Sequence, residues 1–456
     1  MRVPLLEKEI GIEIYASETP GIGGRIRQFP EDFIVEEILV DGSEAKVSPV
    51  STPQTVGRGR YLVCALVKRN WDTLRAVQNV AKQLGISEEH IQIAGIKDAK
   101  ALTAQHVSIS CFSGVTPEQI LRVKAKDITL HPQHFSNEKI SSQLLLGNRF
   151  NIKIRGISCS SSTVERRIKN VLDELSDLGG IPNFFGHQRF GTIRPITHKI
   201  GKFIVQGNWE KAALTFLCQF SQHEHPQSMK ARQHLQTSQD FKEAQKYFPQ
   251  TLQYERSMLR YLAKHPRDYV GSFRKLPLKL CKLFVQAYQS FLYNKFLSQR
   301  SGKGVPLNKA QIGDYVIKLD SHELPTASFT QVTAQSLHNI QKATDENRMR
   351  MVIPLIGFKQ HLSSGIQGEI EKEILETENL TFEDFKVSSM PQISAPGGLR
   401  IILTPIINLS IGELSEDLAN PSSQVLKLGF MLHRGSYATV LLREFMKPRD
   451  LIKAGF

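Results

Sequence analysis

Cysteine is scarce and scattered: five in 456 residues, Cys64, Cys111, Cys159, Cys218 and Cys281. No CxxC pair or zinc-knuckle spacing occurs, which argues against a structural metal and fits a reducing compartment. Four of the five sit in apolar sequence and read as small core residues. No apolar run approaches the roughly 18 residues needed to span a membrane. The start, Met1 to Lys8, is too short and too charged for a secretory signal, so an intracellular, cytoplasmic protein is expected. Gly21, Gly23 and Gly24 lack the strand–helix frame of a dinucleotide fingerprint. His223, His225 and His234 have no Cys or carboxylate partner at metal-ligand spacing, so 221–248 reads as a solvated helix or loop. No internal repeat is found. Acid is the minority charge: 44 Asp and Glu stand against 58 Lys and Arg, a net charge of +14. That excess points to an anionic partner, most simply nucleic acid.

What is present describes an ordinary globular chain, 40% hydrophobic and 22% charged, long enough for two or three domains. Its densest chemistry lies between Ala94 and Gln105. Ile91 to Ile93 before it and His106 to Ile109 after it read as strands, so the stretch is a loop on a sheet. It holds one carboxylate, Asp98, beside Lys97 and Lys100. An aspartate among cations is a candidate nucleophile that stays ionised. Taken alone, the loop is better served by Asp98 as a turn residue, and the rest of the chain reverses that reading.

The surrounding chain supplies a frame. Phe33, Val35 and Glu37 alternate and share one strand face, where a buried Glu37 needs a partner such as a nearby cation. Residues 41–58, rich in Ser, Pro and Gly, read as a mobile loop. Tyr61 to Val67 is a buried strand. A helix follows, capped by Asn70 or Asp72, striped by Leu74, Val77, Ala81 and Leu84, and ended by Gly85. Phe150, Ile152 and Ile154 alternate in another strand. Ser162 and Glu165 have capping-box spacing before a helix that Gly179-Gly180 closes. Pro277 opens a long amphipathic helix through Arg300. The acidic run Glu369 to Asp384 should face away from an anionic partner. Val425 to Leu432 is a strand, and Gly435 to Thr439 turns into a last helix with Arg443 on a separate face. Between Ile181 and Thr192, three Phe, His187 and Arg189 alternate with Gly. Such a set suits base stacking and phosphate contact, or a core at a domain junction.

Five motifs in order carry a resemblance. They are Phe33-x-Val35-x-Glu37, then Gly95-x-Lys97-Asp98-x-x-Ala101-x-Thr103-x-Gln105, then Gly147-Asn148-x-Phe150. Pro182-Asn183-x-Phe185-Gly186-x-Gln188-Arg189-Phe190-Gly191 and Gly435-Ser436-Tyr437-Ala438-Thr439 complete the set. Together they resemble the TruD family of RNA pseudouridine synthases over nearly the whole chain, and Gln286 to Asn294 is similar to its archaeal and eukaryotic branch. The resemblance implies an α+β fold. A catalytic domain with a mixed, largely antiparallel sheet and flanking helices would comprise 1–182 and 393–456. An inserted α+β domain particular to the family would occupy 183–392.

It also implies an isomerase that uses neither metal nor cofactor. Asp98 matches the catalytic carboxylate, attacking C1′ or removing a ribose proton. Phe150 matches the residue that stacks on a flipped-out uracil. Asn148 is expected at the base edge or on the Asp98 loop. Lys97, Gln105 and Glu37 are supporting candidates. The RNA is expected in a cleft between the domains, with His187, Arg189 and Arg443 in its lining. The implied partner is tRNA or another structured RNA, with uridine 13 of the D arm as the target, and a monomer suffices. Two rivals remain. A non-catalytic RNA binder would have no need of the Lys97-Asp98 loop. A glycoside hydrolase would want a second carboxylate about 5–10 Å from Asp98, for which Glu37 is the only candidate.

Overall fold

A computed structural model describes residues 2–48 and 57–456, so the loop expected at 41–58 lies partly outside the described residues. The chain forms two compact units, Thr19–Ile181 with Thr404–Phe456, and the residues up to Glu18 with Pro182–Leu403.

The first unit is built on a nine-stranded sheet. Its early strands are β1 (Phe33–Leu39), β2 (Tyr61–Arg69), β3 (Ile91–Ile93), β4 (Leu102–Ser110), β5 (Ile128–Ser136) and β6 (Leu145–Ile157). The spatial order is Ile407–Ile411, Gln424–His433, β6, β1, β4, β2, β5. Among the described residues only β1 and β4 pair in parallel, with Val35 opposite Thr103; the sheet is mixed and largely antiparallel. The β2 run is buried on both faces, as its unbroken apolar sequence requires. The helix Thr73–Leu84 lays Ala76, Val77, Val80 and Ala81 against Leu62, Cys64, Leu66, Val107 and Ile109. Each large side chain in that cluster contributes roughly 1.5–3 kcal/mol on burial. Asp72 caps the helix by accepting from Arg75 N at 3.1 Å, and Gly85 ends it at φ 69°.

The expected capping box at Ser162 and Glu165 does not form. The helix Ser161–Leu178 begins one step earlier, with Ser160 as its cap residue and no side-chain cap bond. Ser160 Oγ donates instead to Thr163 Oγ1 at 2.9 Å. A run of serines offers several equivalent caps, and spacing alone does not choose among them.

The second unit carries a four-stranded antiparallel sheet, in order Gly398–Ile401, Met349–Leu355, Tyr315–Leu319, Pro325–Gln331. The helix Leu278–Gly302 runs through it, buried over most of its length. At Gly201, in the helix Thr197–Val205, a Cβ would sit 2.0 Å from Phe284 O, so only glycine permits this helix–helix approach. The histidine-rich stretch folds as helices Pro226–Ser238 and Phe241–Tyr247. Glu371 of the acidic run turns inward rather than to solvent, accepting from Ser363 N at 2.8 Å and Gln367 Nε2 at 2.8 Å.

The first 18 residues correct an expectation. Sequence reading placed them with 19–182, yet they pack with 182–403. Asn294 Nδ2 donates to Ile10 O at 2.9 Å, Ser298 Oγ to Gly11 O at 2.8 Å, and Lys295 Nζ pairs with Glu13 at 2.6 Å. These partners come from the long helix, almost 300 positions away, where no local pattern announces them.

Candidate active site

The loop between β3 and β4 is held at its backbone from three directions. Gln105 Nε2, from β4, donates to Gly95 O at 3.1 Å. Thr73, in the first turn of its helix, accepts from Lys97 N at 3.0 Å and faces Gln105 Oε1 at 3.3 Å. Lys68, near the end of β2, donates to Asp98 O at 2.7 Å and Trp71 O at 2.8 Å. Lys68 is fully buried. Burial brings its ammonium down to about 8, against the attraction of Asp98 and Asp72. Ordinary loops spend their carbonyls on water; this one spends them on buried side chains, which fixes where Asp98 can stand.

The Asp98 carboxylate is 28% exposed and Oδ1 lies 2.7 Å from Arg27 Nη2. Arg27 is almost wholly buried, its second nitrogen donates to Gly455 O at 3.0 Å, and its guanidinium lies 3.8 Å from the centre of the Phe33 ring. Burial lowers the Arg27 pKa from its ordinary value, and the charge of Asp98 opposes that fall. The arginine is therefore a fixed cation, immobilised by a carbonyl and a ring before Asp98 meets it. Arg27 was missed in sequence. It lies 71 positions from Asp98, and no local signal joins them.

Lys97 turns away from Asp98. Its ammonium is 5% exposed and lies 2.7 Å from Glu37 Oε1, on β1. Glu37 is fully buried; its Oε2 accepts from His106 N at 2.7 Å and lies 3.4 Å from His106 Nδ1. Burial pushes the Glu37 carboxyl up, but His106 and the Lys97 charge more than offset this and hold it below the ordinary carboxylate range. Adjacent residues on an extended backbone point to opposite sides, and the loop uses this. One cation serves Glu37 inside, while the carboxylate beside it meets solvent.

Cross-strand pairing sets the rest. Phe150 lies opposite Val35, Asn148 opposite Glu37, and Phe430 opposite Phe150, so all share a sheet face. Phe150 stacks on Phe430 at 5.3 Å and meets Phe33 edge-on at 6.3 Å. An aromatic layer thus runs from Phe430 through Phe150 to Phe33 and the Arg27 guanidinium. Asn148 Oδ1 is buried with no hydrogen-bond partner. An unpartnered buried acceptor is costly unless a ligand meets it. At Gly147 a Cβ would fall 2.2 Å from Leu432 O, so the backbone before Asn148 admits no side chain.

Three residues expected to face RNA fare differently. His187 is 3% exposed, with Nε2 3.9 Å from Glu7, and Arg443 is 1% exposed beside Glu444 at 2.6 Å. Neither presents its side chain at a surface. Arg443, expected on a face apart from the apolar one, is buried because the Ala438–Met446 helix is buried all round. Arg189 is half-buried and donates to Ser290 Oγ at 3.2 Å and Gln286 Oε1 at 3.3 Å. Among the described residues no cluster of His, Cys, Asp and Glu is placed to hold a metal, and no helix is long and apolar enough to cross a membrane.

Comparison with known proteins bears on this geometry. Residues 9–445 match the family model described as tRNA pseudouridine synthase D (TruD). A tRNA pseudouridine synthase D from Methanosarcina mazei is 39% identical over 454 residues, covering 99% of each chain. One from Methanopyrus kandleri is 37% identical over 399 residues, 87% of this chain and 88% of its own. A crystal structure of the Methanosarcina mazei protein superposes with a TM-score of 0.80 at 38% identity, covering 98% of this chain and 99% of that one.

Proposed function

The chain belongs to the tRNA pseudouridine synthase D (TruD) family, and we propose that it isomerises a uridine of tRNA to pseudouridine with Asp98 as its catalytic carboxylate. The observation that carries this reading is the contrast between two carboxylates. Asp98 is the partly exposed one, held by Arg27 on a loop whose carbonyls are pinned. Glu37 is sealed and committed to Lys97 and His106. A glycoside hydrolase would need both at the substrate, so that reading loses its second group.

The reaction breaks the N1–C1′ bond, turns the uracil and joins C5 to C1′. The hydrogen leaves C5 and the ring nitrogen regains one, so nothing is oxidised. The uridine is flipped out of its stack to reach Asp98. Asp98 then either attacks C1′ or takes a ribose proton; Arg27 suits both, since its guanidinium pairs with the carboxylate and fixes its orientation. Phe150 belongs to the aromatic layer beside this point and is assigned to the base. Asn148 brings a buried acceptor suited to a uracil N–H. Lys97, Glu37, Gln105, Thr73 and Lys68 are positioning residues.

Family analogy supplies the finer target, uridine 13 of the D arm. The unit 19–181 with 404–456 is assigned as the catalytic domain and 182–403 as the inserted one. One chain supplies both, so a monomer suffices, and the expected compartment is the cytoplasm. The test is incubation with uridine-labelled tRNA transcript and scoring of the digested nucleosides. Conversion of one uridine by the wild type supports the reading; binding with no conversion of any tRNA supports a non-catalytic RNA binder.

A further inference from the structure

A cavity of about 550 Å³ lies wholly within the unit built on 182–403, whereas the Asp98 loop belongs to the other unit. That volume suits a nucleotide-sized ligand. One wall is a single face of the Leu278–Gly302 helix, where Lys282, Gln286 and Gln289 recur at helical spacing. The facing wall is the turn up to Gly397, packed so tightly that a Cβ on Gly357 would fall 2.2 Å from Gly397 N. Arg189, Arg400 and Phe185 complete the lining.

Hydrogen bonds and the Phe185 ring hold both guanidiniums. Arg400 donates from Nε to Asn183 O at 2.9 Å and from Nη2 to Asn183 Oδ1 at 2.7 Å, and lies 3.9 Å from the centre of the Phe185 ring. Arg189 donates to Ser290 and Gln286, 5.7 Å from the same ring. Gln286 gives its carbonyl to Arg189, which leaves two N–H donors for a ligand. Among the described residues the lining holds three cations and no carboxylate. Cations fixed in a concave, rigid site are organised for an anion with several acceptor oxygens.

We propose that this cavity holds a phosphodiester of the substrate RNA, with Lys282, Arg189 and Arg400 on the phosphate and the Gln286 amide on the adjoining sugar or base. The proposal rests on the reading of the chain as a tRNA-modifying enzyme and gives its inserted unit a defined grip on the backbone. Such a contact sets register and affinity rather than sequence preference. Lys282 is exposed and makes no hydrogen bond or ion pair among the described residues, so it can be changed without disturbing the cavity.

The experiment uses the full chain and a tRNA transcript, with Lys282→Ala, Arg189→Gln and Asp98→Asn. Dissociation constants are measured from 50 to 400 mM salt, and thermal melts check each fold. Lys282→Ala should weaken binding several-fold at low salt, flatten the slope of log affinity against log salt by about 0.7–0.9, and raise KM. Arg189→Gln should do the same more strongly. Asp98→Asn should keep the wild-type slope while abolishing conversion. If Asp98→Asn still converts uridine, the catalytic reading falls and the cavity result stands apart. If both cavity variants melt like the wild type and leave affinity and slope unchanged, the proposal is overturned. Inorganic phosphate competing as well as an oligonucleotide, at equal phosphate concentration, would also overturn it, because the cavity would then be a small-anion site.

Discussion

Replacing Glu37 by alanine should damage stability far more than its size suggests. The side chain is fully buried and joins two groups, the Lys97 ammonium at 2.7 Å and the His106 N–H at 2.7 Å. Its loss leaves a 5% exposed ammonium without an anion. Breaking a buried pair from one side costs about 3–5 kcal/mol. The stranded N–H adds roughly 1–3 kcal/mol, less whatever water recovers. A net loss of about 4–5 kcal/mol is expected. For a unit of this size that corresponds to roughly 10–20 °C in Tm, read by calorimetry. The double variant Glu37→Leu with Lys97→Met should recover most of the loss, since both charges are then gone. The sign with pH follows from the depressed carboxyl of Glu37. Its stabilisation is present above the ordinary carboxylate range and is lost as pH falls through its lower folded value. Lys97→Met should therefore lower stability at neutral pH and flatten the loss on the acid side. A Glu37→Ala shift below about 1 kcal/mol, or a double variant no better than the single, would refute the reasoning.

Other outcomes follow from the same geometry. Arg27→Met should lower kcat on the order of 100-fold, because Asp98 loses the group that orients it; single-turnover conversion of labelled tRNA reads this, and Arg27→Lys should restore only part. Lys68→Met leaves the carbonyls of Asp98 and Trp71 without their donor and should cost about 2–4 kcal/mol, measured by urea unfolding. Because burial holds Lys68 near 8, the unfolded chain binds a proton that the folded chain lacks between there and the ordinary lysine range. The stability contribution of Lys68 should rise with pH across that window, and Lys68→Met should remove the rise.

The parts legible in sequence were those with local grammar. Alternation placed Phe33, Val35 and Glu37 on one face, Asp72 and Gly85 bounded a helix, and the 94–105 loop stood between two strands. Glu37, on an apolar face, left open a cation partner or a strand-end position, and it pairs with Lys97. What sequence could not show was made by long-range packing. Arg27 reaches Asp98 across 71 positions, and the strand ending expected near Val67 hid Lys68, whose long stem reaches back to the loop. The burial of Arg443 was likewise hidden. A polar residue on a helix marks a solvated face only when the helix has one, and this helix has none.

The account turns on Asp98. The direct measurement is conversion of uridine to pseudouridine in a tRNA transcript by the wild type and by Asp98→Asn, in the presence of chelator, with tRNA affinity recorded for both. The account predicts one converted uridine for the wild type, none for Asp98→Asn, and equal affinity. Undiminished conversion by a folded Asp98→Asn would contradict it.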